Sequence, residues 1–430
     1  MTPIMKKINT GGLKRIALYS GIAAVLGATP MSASAYNFKD SSGDVDFTVG
    51  GYVKLSAIYS DTDSGTIGGT SAGRTFYVPS TTPVDTTAGE GHKTLDLTAR
   101  ESRINFKSKT EQDGHKIGMT LEMDFLTTTE GNEVVSNSFA PRLRHFFFSV
   151  DKYLVGQTWS TFMDVGALPQ AVDFLGASEG TVFIRQPQLR YTSGNLQIAL
   201  ENPENWITGA TDRDVGGVPD IAANYKFNGD WGYVRVNGLV RQLSVDDAAV
   251  ASSTTIKACT APGVPDVSCL DANDTYNAIT AAKNAVDETA AGFGIGLSGK
   301  IKLGASDNIK FAINVGDGMG RYTSVGLVKD AVVIAGKIET VESTAGFAAY
   351  HHAWNAKSSS NVIYSMVDID TPAAGGTTTN SSSSSVQVNY LYSPVKSVTY
   401  GIMYLAAERE TDPSTKGELS RIQATAKYAF

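Results

Sequence analysis

The sequence predicts an all-β protein, a transmembrane antiparallel β-barrel of about 16 strands with long extracellular loops, the third of them folded into the lumen. Three observations favour this class. Apolar and polar residues alternate with a period of two along sixteen segments, and the connections between the segments alternate between long and short. Charged residues make up only 18% of the chain, against about 25% in an average soluble protein. No stretch after the first 35 residues approaches the ~20 apolar residues of a membrane-spanning helix.

The first 35 residues have the three parts of a signal peptide. A basic stretch comes first, then a mostly apolar stretch over 16–27, and then the small-residue cleavage site Ala33-Ser34-Ala35. The alternative is an uncleaved membrane anchor. We therefore expect a signal peptide over 1–35, a short periplasmic segment over 36–45 and the barrel over 46–430.

Net charge and cysteine content limit which binding partners and cofactors we expect. The sequence after residue 35 has a net charge of −11, because four of the 36 basic residues and none of the 43 acidic ones lie in the signal peptide. Such an acidic chain is a poor candidate for binding nucleic acid. Cys259 and Cys269 are the only cysteines, and export to an oxidising space favours a disulfide between them, worth roughly 2–3 kcal/mol at most. Metal ligation by this pair is the alternative; we expect no metal site and no cofactor.

The alternating segments can be placed along the whole chain after the signal peptide. In a strand, a period of two puts one set of side chains on each face of the sheet, and a closed barrel satisfies every backbone group in lipid. The sixteen predicted strands are 46–59, 94–108, 116–127, 142–150, 152–158, 181–192, 195–201, 218–227, 231–245, 289–303, 307–316, 341–350, 358–369, 383–392, 397–409 and 418–430.

The connections support the same topology. Long connections, such as 60–93, 159–180 and 246–288, alternate with short ones, several of which carry hairpin residues such as Asp113-Gly114. Outer-membrane barrels have long extracellular loops and short periplasmic turns. The pattern therefore places the chain in the outer membrane of a bacterium, among its lipid and lipopolysaccharide.

Arginines on the lumen face are the candidate pore residues, because an arginine facing lipid at mid-membrane costs about 2–4 kcal/mol. Arg235 and Arg190 have lumen parity in their strands, whereas Arg185 does not, so Pro187 would mark a bulge that restores it. A change of parity in 94–108 predicts a bulge near 101–103. The full set is Arg100, Arg103, Arg142, Arg144, Arg185, Arg190 and Arg235.

Two points about these arginines stay open. Arg142 and Arg144 share a parity, but the apolar run 146–148 hides which face that parity belongs to. Any of the arginines could also pair with a lumen carboxylate such as Glu122 or Asp124 and brace the wall instead of binding solute.

The connection 159–180 is the predicted constriction loop. It combines large apolar side chains with carboxylates, and a solvated surface loop would rarely expose so much apolar surface. Packing at a trimer interface is the alternative. Its key residues are Trp159, Asp164, Asp173 and Phe174, and arginines facing the two aspartates would favour anions.

The middle of the chain contains an ordered set of motifs that resembles a known protein family. The stretch 154–164, LVGQTWSTFMD, is followed by Ala167-Leu168-Pro169, by 185–191, RQPQLRY, and by Glu201-Asn202-Pro203-Glu204. This ordered set resembles the DcaP-like family of trimeric outer-membrane porins. The resemblance implies a homotrimer that passes small anionic organic solutes such as dicarboxylates. Some members carry a coiled-coil-like segment before the barrel, which the short segment 36–45 does not match.

The sequence thus predicts an outer-membrane diffusion porin for small, preferentially anionic solutes. The alternative within channels is a cation- or amino-acid-selective porin that uses the loop carboxylates. An outer-membrane barrel enzyme is the more distant alternative. It would need a base beside a nucleophile, and of the five histidines only His92 and His145 lie outside the predicted periplasmic turns, with no serine or aspartate motif beside them.

Overall fold

Sixteen long strands form the protein in the computed structural model, which describes residues 35–84, 90–127, 131–133, 136–210, 217–247, 286–372, 379–412 and 415–430. They confirm all sixteen predicted segments. The strands are β1 (Val45–Thr62), β2 (Lys93–Thr98 and Arg103–Gln112), β3 (His115–Asp124), β4 (Arg142–Val150), β5 (Tyr153–Trp159), β6 (Arg185–Ser193), β7 (Leu196–Glu201), β8 (Asp220–Gly229), β9 (Gly232–Asp247), β10 (Val286–Leu303), β11 (Asp307–Asp317), β12 (Glu342–Asn355), β13 (Ser358–Asp370), β14 (Thr379–Val395), β15 (Val398–Asp412) and β16 (Thr415–Ala429).

The sheet is antiparallel and closed. Each strand pairs with the next one along the chain, and β16 returns to β1 with Ala429 opposite Tyr52 and Leu419 opposite Thr62. Closure removes the free edges that an open sheet would expose in lipid. The predicted fold class is therefore confirmed.

The segment before the barrel is not a plain tail. Tyr36–Lys39 forms a short, exposed strand that pairs with 46–49 of β1 and extends the sheet where β16 has ended. Residues 1–34 of the predicted signal peptide (1–35) and both cysteines lie outside the described residues, so the signal peptide and the disulfide remain predictions.

The smaller elements belong to the long connections. Among the described residues, five 3-10 helices occur at Ala72–Arg74, Pro79–Thr81, Val165–Ala167, Gly320–Tyr322 and Ser324–Gly326. Two small sheets are formed by Gly131–Asn132 with Ser138–Phe139, and by Ile207–Thr208 with Ala331–Ile334 and Lys337–Thr340. Over the described ranges, no helix has the length and apolar character needed to cross a membrane.

Side chains alternate across the barrel wall as the period of two requires. In β9, Val236 and Val240 point outward and are exposed, whereas Asn237 and Arg241 are buried inside. Leu239 is the apolar exception on the inner face. It is buried against Phe162 and Tyr322 in a cluster formed with the loops, so its position serves loop packing.

One extra residue in β2 reverses its two faces. Ser56 of β1 lies opposite Thr98, but Tyr52 lies opposite Arg103, so the interruption at 99–102 contains one residue more than β1 does. Ser102 accepts a hydrogen bond from the Lys54 amide at 3.0 Å within this bulge. The predicted bulge is confirmed, and it turns both Thr98 and Arg103 toward the lumen.

A second bulge, in β4, settles the facing of Arg142 and Arg144. Glu122 lies opposite His145 but Met123 lies opposite Leu143, which leaves Arg144 as the extra residue. Because of this bulge, Arg144 and His145 both point inward although they are adjacent. The two arginines therefore face the lumen, and the outward face passes to Phe146 and Phe148, which are exposed.

The bulge predicted at Pro187 is wrong. Residues 185–191 of β6 pair with 153–159 of β5 without a shift in register, and Pro187 points outward. Arg185 needs no bulge because it is the first residue of β6. From the strand end, its guanidinium carbon reaches across to within 4.4 Å of the centre of the Trp159 ring.

Candidate functional site: the inside of the barrel

The connection between β5 and β6, called loop 3 here (160–184), lies inside the barrel. Hydrogen bonds to strands on the opposite side of the barrel hold its backbone. The Gly180 amide donates to Ser365 of β13 at 2.8 Å, and Asn389 of β14 donates to the Gln170 carbonyl at 3.0 Å. Large apolar side chains of the loop are buried by this arrangement, among them Phe162, Met163, Val172 and Leu175.

Wall cations hold the backbone carbonyls of loop 3 and of the residue before it. Lys54 donates to the Val172 carbonyl at 2.8 Å and Lys310 to the Leu168 carbonyl at 2.6 Å. Two of the predicted pore arginines act in the same way. Arg235 donates to the Thr161 carbonyl at 2.8 Å, and Arg190 donates to the Trp159 carbonyl. These four cations therefore position the loop.

The two aspartates of the loop have different surroundings. Asp164 lies 3.6 Å from a guanidinium nitrogen of Arg235, as expected, and accepts hydrogen bonds from Ser298 at 2.8 Å and Tyr233 at 3.2 Å. Asp173 does not face an arginine wall. It is buried and accepts hydrogen bonds from the backbone amides of Tyr77 and Leu175, at 3.0 and 3.3 Å. The arginine whose charge acts on it is the buried Arg421 of β16, which is not one of the predicted pore residues. Burial raises the pKa of Asp173.

Three of the predicted arginines form an ion-pair network with two buried wall carboxylates. Arg142 binds both oxygens of Asp124 at 2.8 Å, and Arg144 donates to Glu122 at 2.8 Å and to Asp124 at 2.9 Å. Arg103 adds a contact of 3.3 Å to Glu122. This geometry matches the bracing role that was the alternative for single arginines.

The remaining predicted residues pack on aromatic rings. Arg100 donates to the Phe125 carbonyl at 3.2 Å, and its guanidinium carbon lies 3.8 Å from the centre of the Phe139 ring. The guanidinium of Arg144 lies 5.7 Å from the Trp159 ring and 5.5 Å from the Phe174 ring. Trp159 and Phe174 thus connect loop 3 to the arginines of the ion-pair network.

A buried carboxylate joins loop 3 to two other connections. Glu179 accepts hydrogen bonds from Tyr77, in the connection after β1, at 2.6 Å, and from Ser385 of β14 at 2.8 Å. Its backbone carbonyl accepts from Ser324, in the connection after β11, at 2.6 Å. Burial raises the pKa of Glu179. Three long connections are therefore tied together inside the wall.

Two neighbouring cavities lie against loop 3, of about 560 and 360 Å³. Both are lined by Pro169 and Gln170 of the loop. The larger cavity reaches the short turns that follow β12 and β14, and the smaller one reaches the turn that follows β10. Seven basic residues line them, together with two carboxylates, Glu101 and Asp173. This set, called the basic vestibule here, is Lys54, Arg103, Lys300, Lys310, Lys357, Lys396 and Lys427.

Much of this positive charge is not compensated. Glu101 pairs with Lys54. Lys300, Lys357, Lys396 and Lys427 form no ion pair with any described residue, and the Lys427 ammonium lies 5.3 Å from the centre of the Tyr52 ring. These lysines were not among the pore residues predicted from the sequence. Lys54 and Lys427 belong to the polar rows of alternating strands, so parity alone could have found them.

Comparison with known proteins agrees with this architecture. The model of a family described as DcaP outer membrane protein matches residues 40–258, slightly more than half of the chain. No curated protein matches the sequence.

Three solved barrels illustrate the structural likeness. The crystal structure of the outer membrane channel DcaP of Acinetobacter baumannii is 20% identical, with a TM-score of 0.68 over 91% of this chain and 99% of that one. OmpF of Salmonella typhi, in complex with daunomycin, is 9% identical, with a TM-score of 0.53 over 92% and 100%. An anion-selective porin from Comamonas acidovorans is 11% identical, with a TM-score of 0.51 over 90% and 100%.

At these identities the solved structures establish the fold, and the match to the family model establishes family membership. The sixteen-stranded closed barrel and the match over the first half of the sequence agree with each other. The chain therefore belongs to the DcaP outer membrane protein family, and it is a multi-pass β-barrel of the bacterial outer membrane.

Proposed function

We propose that the protein is a homotrimeric diffusion channel that passes small hydrophilic organic anions, such as dicarboxylates, across the outer membrane. The observation that carries this proposal is the basic vestibule, where seven lysines and arginines line the cavities against two carboxylates. Rings of cationic side chains in a pore favour anions. Arg103, Arg142 and Arg144 add less positive charge than expected, because Glu122 and Asp124 neutralise much of it.

The net acidic charge of the chain does not oppose this selectivity. Solvent-exposed charges are screened beyond about 8–10 Å at physiological salt, so an ion in the vestibule responds mainly to the side chains around it. Many exposed acids line neither cavity, for example Asp46, Glu111 and Glu339.

Two observations weigh against the alternatives. A cation- or amino-acid-selective pore would need free carboxylates, but Asp164 is engaged by Arg235, Ser298 and Tyr233, and Asp173 by backbone amides. An enzyme would need a nucleophile beside a base. The inward histidine His145 bonds Thr158 at 3.0 Å, but both side chains are buried, so this pair has no access to a substrate.

The first prediction tests selectivity directly. In planar bilayers across a KCl gradient, the reversal potential of the unmodified protein should show that chloride is more permeant than potassium, because the basic vestibule concentrates anions. Addition of succinate at constant chloride should reduce chloride conductance, as the dianion competes for the same lysines. A reversal potential on the potassium side would contradict the proposal.

The second prediction concerns the trimer. The outward face of β16, β1 and β2 is apolar and has little bulk at several positions: Ala57 lies opposite Ala424, and Leu97 is 66% exposed. Native mass measurement in mild detergent should give three copies. Leu97→Trp should shift the mass toward monomer by adding bulk there. The matched change Val240→Trp, on the outward face of β9, should leave the trimer intact; a monomeric unmodified protein would refute the assembly.

A further inference from the structure

The inner face of β14 contains one apolar residue in an otherwise polar row. Ser383, Ser385, Gln387, Asn389 and Ser393 face the lumen, and Leu391 lies between the last two. Leu391 packs against the cluster that contains Val172 of loop 3. It also lines the larger cavity, where polar side chains would be expected to contact water in a channel.

The loop side of the same cavity is apolar as well. Leu168, Pro169, Ala171 and Val172 line it along the edge of loop 3. Together with Leu391 they form what we call the apolar ceiling. Two of the backbone carbonyls beneath these side chains are already engaged, because Lys310 binds that of Leu168 and Lys54 binds that of Val172. The ceiling therefore presents mainly carbon atoms to a solute.

Cations lie on other parts of the lining, among polar residues and the two carboxylates Glu101 and Asp173. Lys357 and Lys396 extend from the two short turns and are exposed, Lys427 comes from β16, and Arg103 comes from β2 beyond its bulge. The three lysines have no carboxylate partner among the described residues. One cavity of about 560 Å³ thus combines unpaired ammonium groups with an apolar ceiling. Its volume falls in the range of pockets that hold small organic ligands.

We propose that this cavity is a binding site for amphipathic organic anions, with a carboxylate held by Lys396 and Lys427 and an alkyl or aryl body against the apolar ceiling. The inference deepens the proposed function and rests on it. A solute with one charged end and an apolar body satisfies both surfaces at once. A short dicarboxylate can still pass through the vestibule, but bound in this way it would place its second carboxylate against Leu391 and Val172 and lose hydration without gaining a partner.

The test is a chain-length series in single-channel recordings. Acetate, butanoate and hexanoate should interrupt the chloride current with dwell times that increase by about twofold per added methylene. Complete burial of a methylene corresponds to about fourfold, and half of that free energy is expected in an open cavity. Succinate should dwell no longer than butanoate although it carries twice the charge.

Variants from both sides of the cavity assign the effect. Leu391→Asn, on the wall, and Ala171→Ser, on the loop, should each reduce the ratio of hexanoate to acetate dwell times. Two independent variants are needed because Leu391 also packs against the loop. Lys396→Gln combined with Lys427→Gln should shorten every dwell, and Lys152→Gln, at an exposed turn away from the cavity, serves as the matched control.

The outcomes separate this inference from the proposed function. Chloride preference with equal dwell times for acetate and hexanoate would overturn the amphipathic site and leave the anion channel standing. A chain-length dependence that survives in both Leu391→Asn and Ala171→Ser would also overturn it, since the methylenes would then bind elsewhere. Potassium preference in the unmodified protein would remove the proposed function, and the inference with it.

Discussion

Replacing Lys357, Lys396 and Lys427 together by glutamine is expected to lower the ratio of chloride to potassium permeability by about tenfold. Unit charges 4 Å apart in bulk water interact by ≈ 1 kcal/mol, and about 1.4 kcal/mol corresponds to tenfold, so three lysines along the path suffice even after screening. The barrel should remain folded, because Lys357 and Lys396 are exposed and none of the three has an ion-pair partner among the described residues. Reversal potentials across a KCl gradient measure the change.

A matched triple variant controls for the loss of charge itself. Lys116, Lys152 and Lys337 are exposed and lie outside both cavities. Their replacement by glutamine removes the same net charge from the chain and should move the reversal potential only slightly. Equal shifts in the two triple variants would show that total charge, and not the basic vestibule, sets the selectivity.

Arg144→Met is expected to cost about 3 kcal/mol of barrel stability, near the lower end for a broken buried ion pair. Arg144 is 2% exposed, and its loss removes hydrogen bonds from Glu122 and Asp124, which are equally buried. Arg142 and Arg103 still bind these carboxylates, which limits the effect. The temperature at which the heat-modifiable band unfolds on a detergent gel should fall.

Two companion variants identify the cause of that loss. Arg142→Met should cost less, because the Arg142 side chain is 21% exposed and its partner Asp124 keeps Arg144. Adding Glu122→Gln to Arg144→Met should recover part of the stability, since without Arg144 the buried Glu122 carboxylate keeps only Arg103, at 3.3 Å, as an arginine partner. An unfolding temperature unchanged by Arg144→Met would show that water in the lumen compensates for the broken pairs.

The sequence predicted the strands well because lipid on one side and a polar lumen on the other impose a strict period of two. The bulge in β2 could be predicted because Leu95 and Leu97 lie on the opposite parity to Ile104 and Phe106. The bulge in β4 was invisible, as three consecutive phenylalanines give no parity. At Pro187 the residue type suggested a bulge that the pairing of β6 does not contain.

The site was harder to predict, because parity tells which face a side chain is on but not what it binds there. Arg190 and Arg235 were predicted to face solute, yet they bind carbonyls of Trp159 and Thr161. No local pattern specifies such contacts between a wall strand and a loop. Asp173 has the same difficulty, since its partner amide belongs to Tyr77, nearly a hundred residues earlier. Among the lysines without an ion pair to a described residue, Lys427 has lumen parity in its strand, but Lys357 and Lys396 lie in turns, where a period of two carries no information.

The four cations that hold the backbone at loop 3 also have a consequence for the order of folding. They come from β1, β6, β9 and β11, so their donors reach the loop only when distant parts of the chain are already in place. A slip of one residue in the register of β1 would turn Lys54 toward lipid and leave the Val172 carbonyl without its donor. Docking of the loop is then a late, non-local step. It can be completed only if the barrel has closed in the correct register.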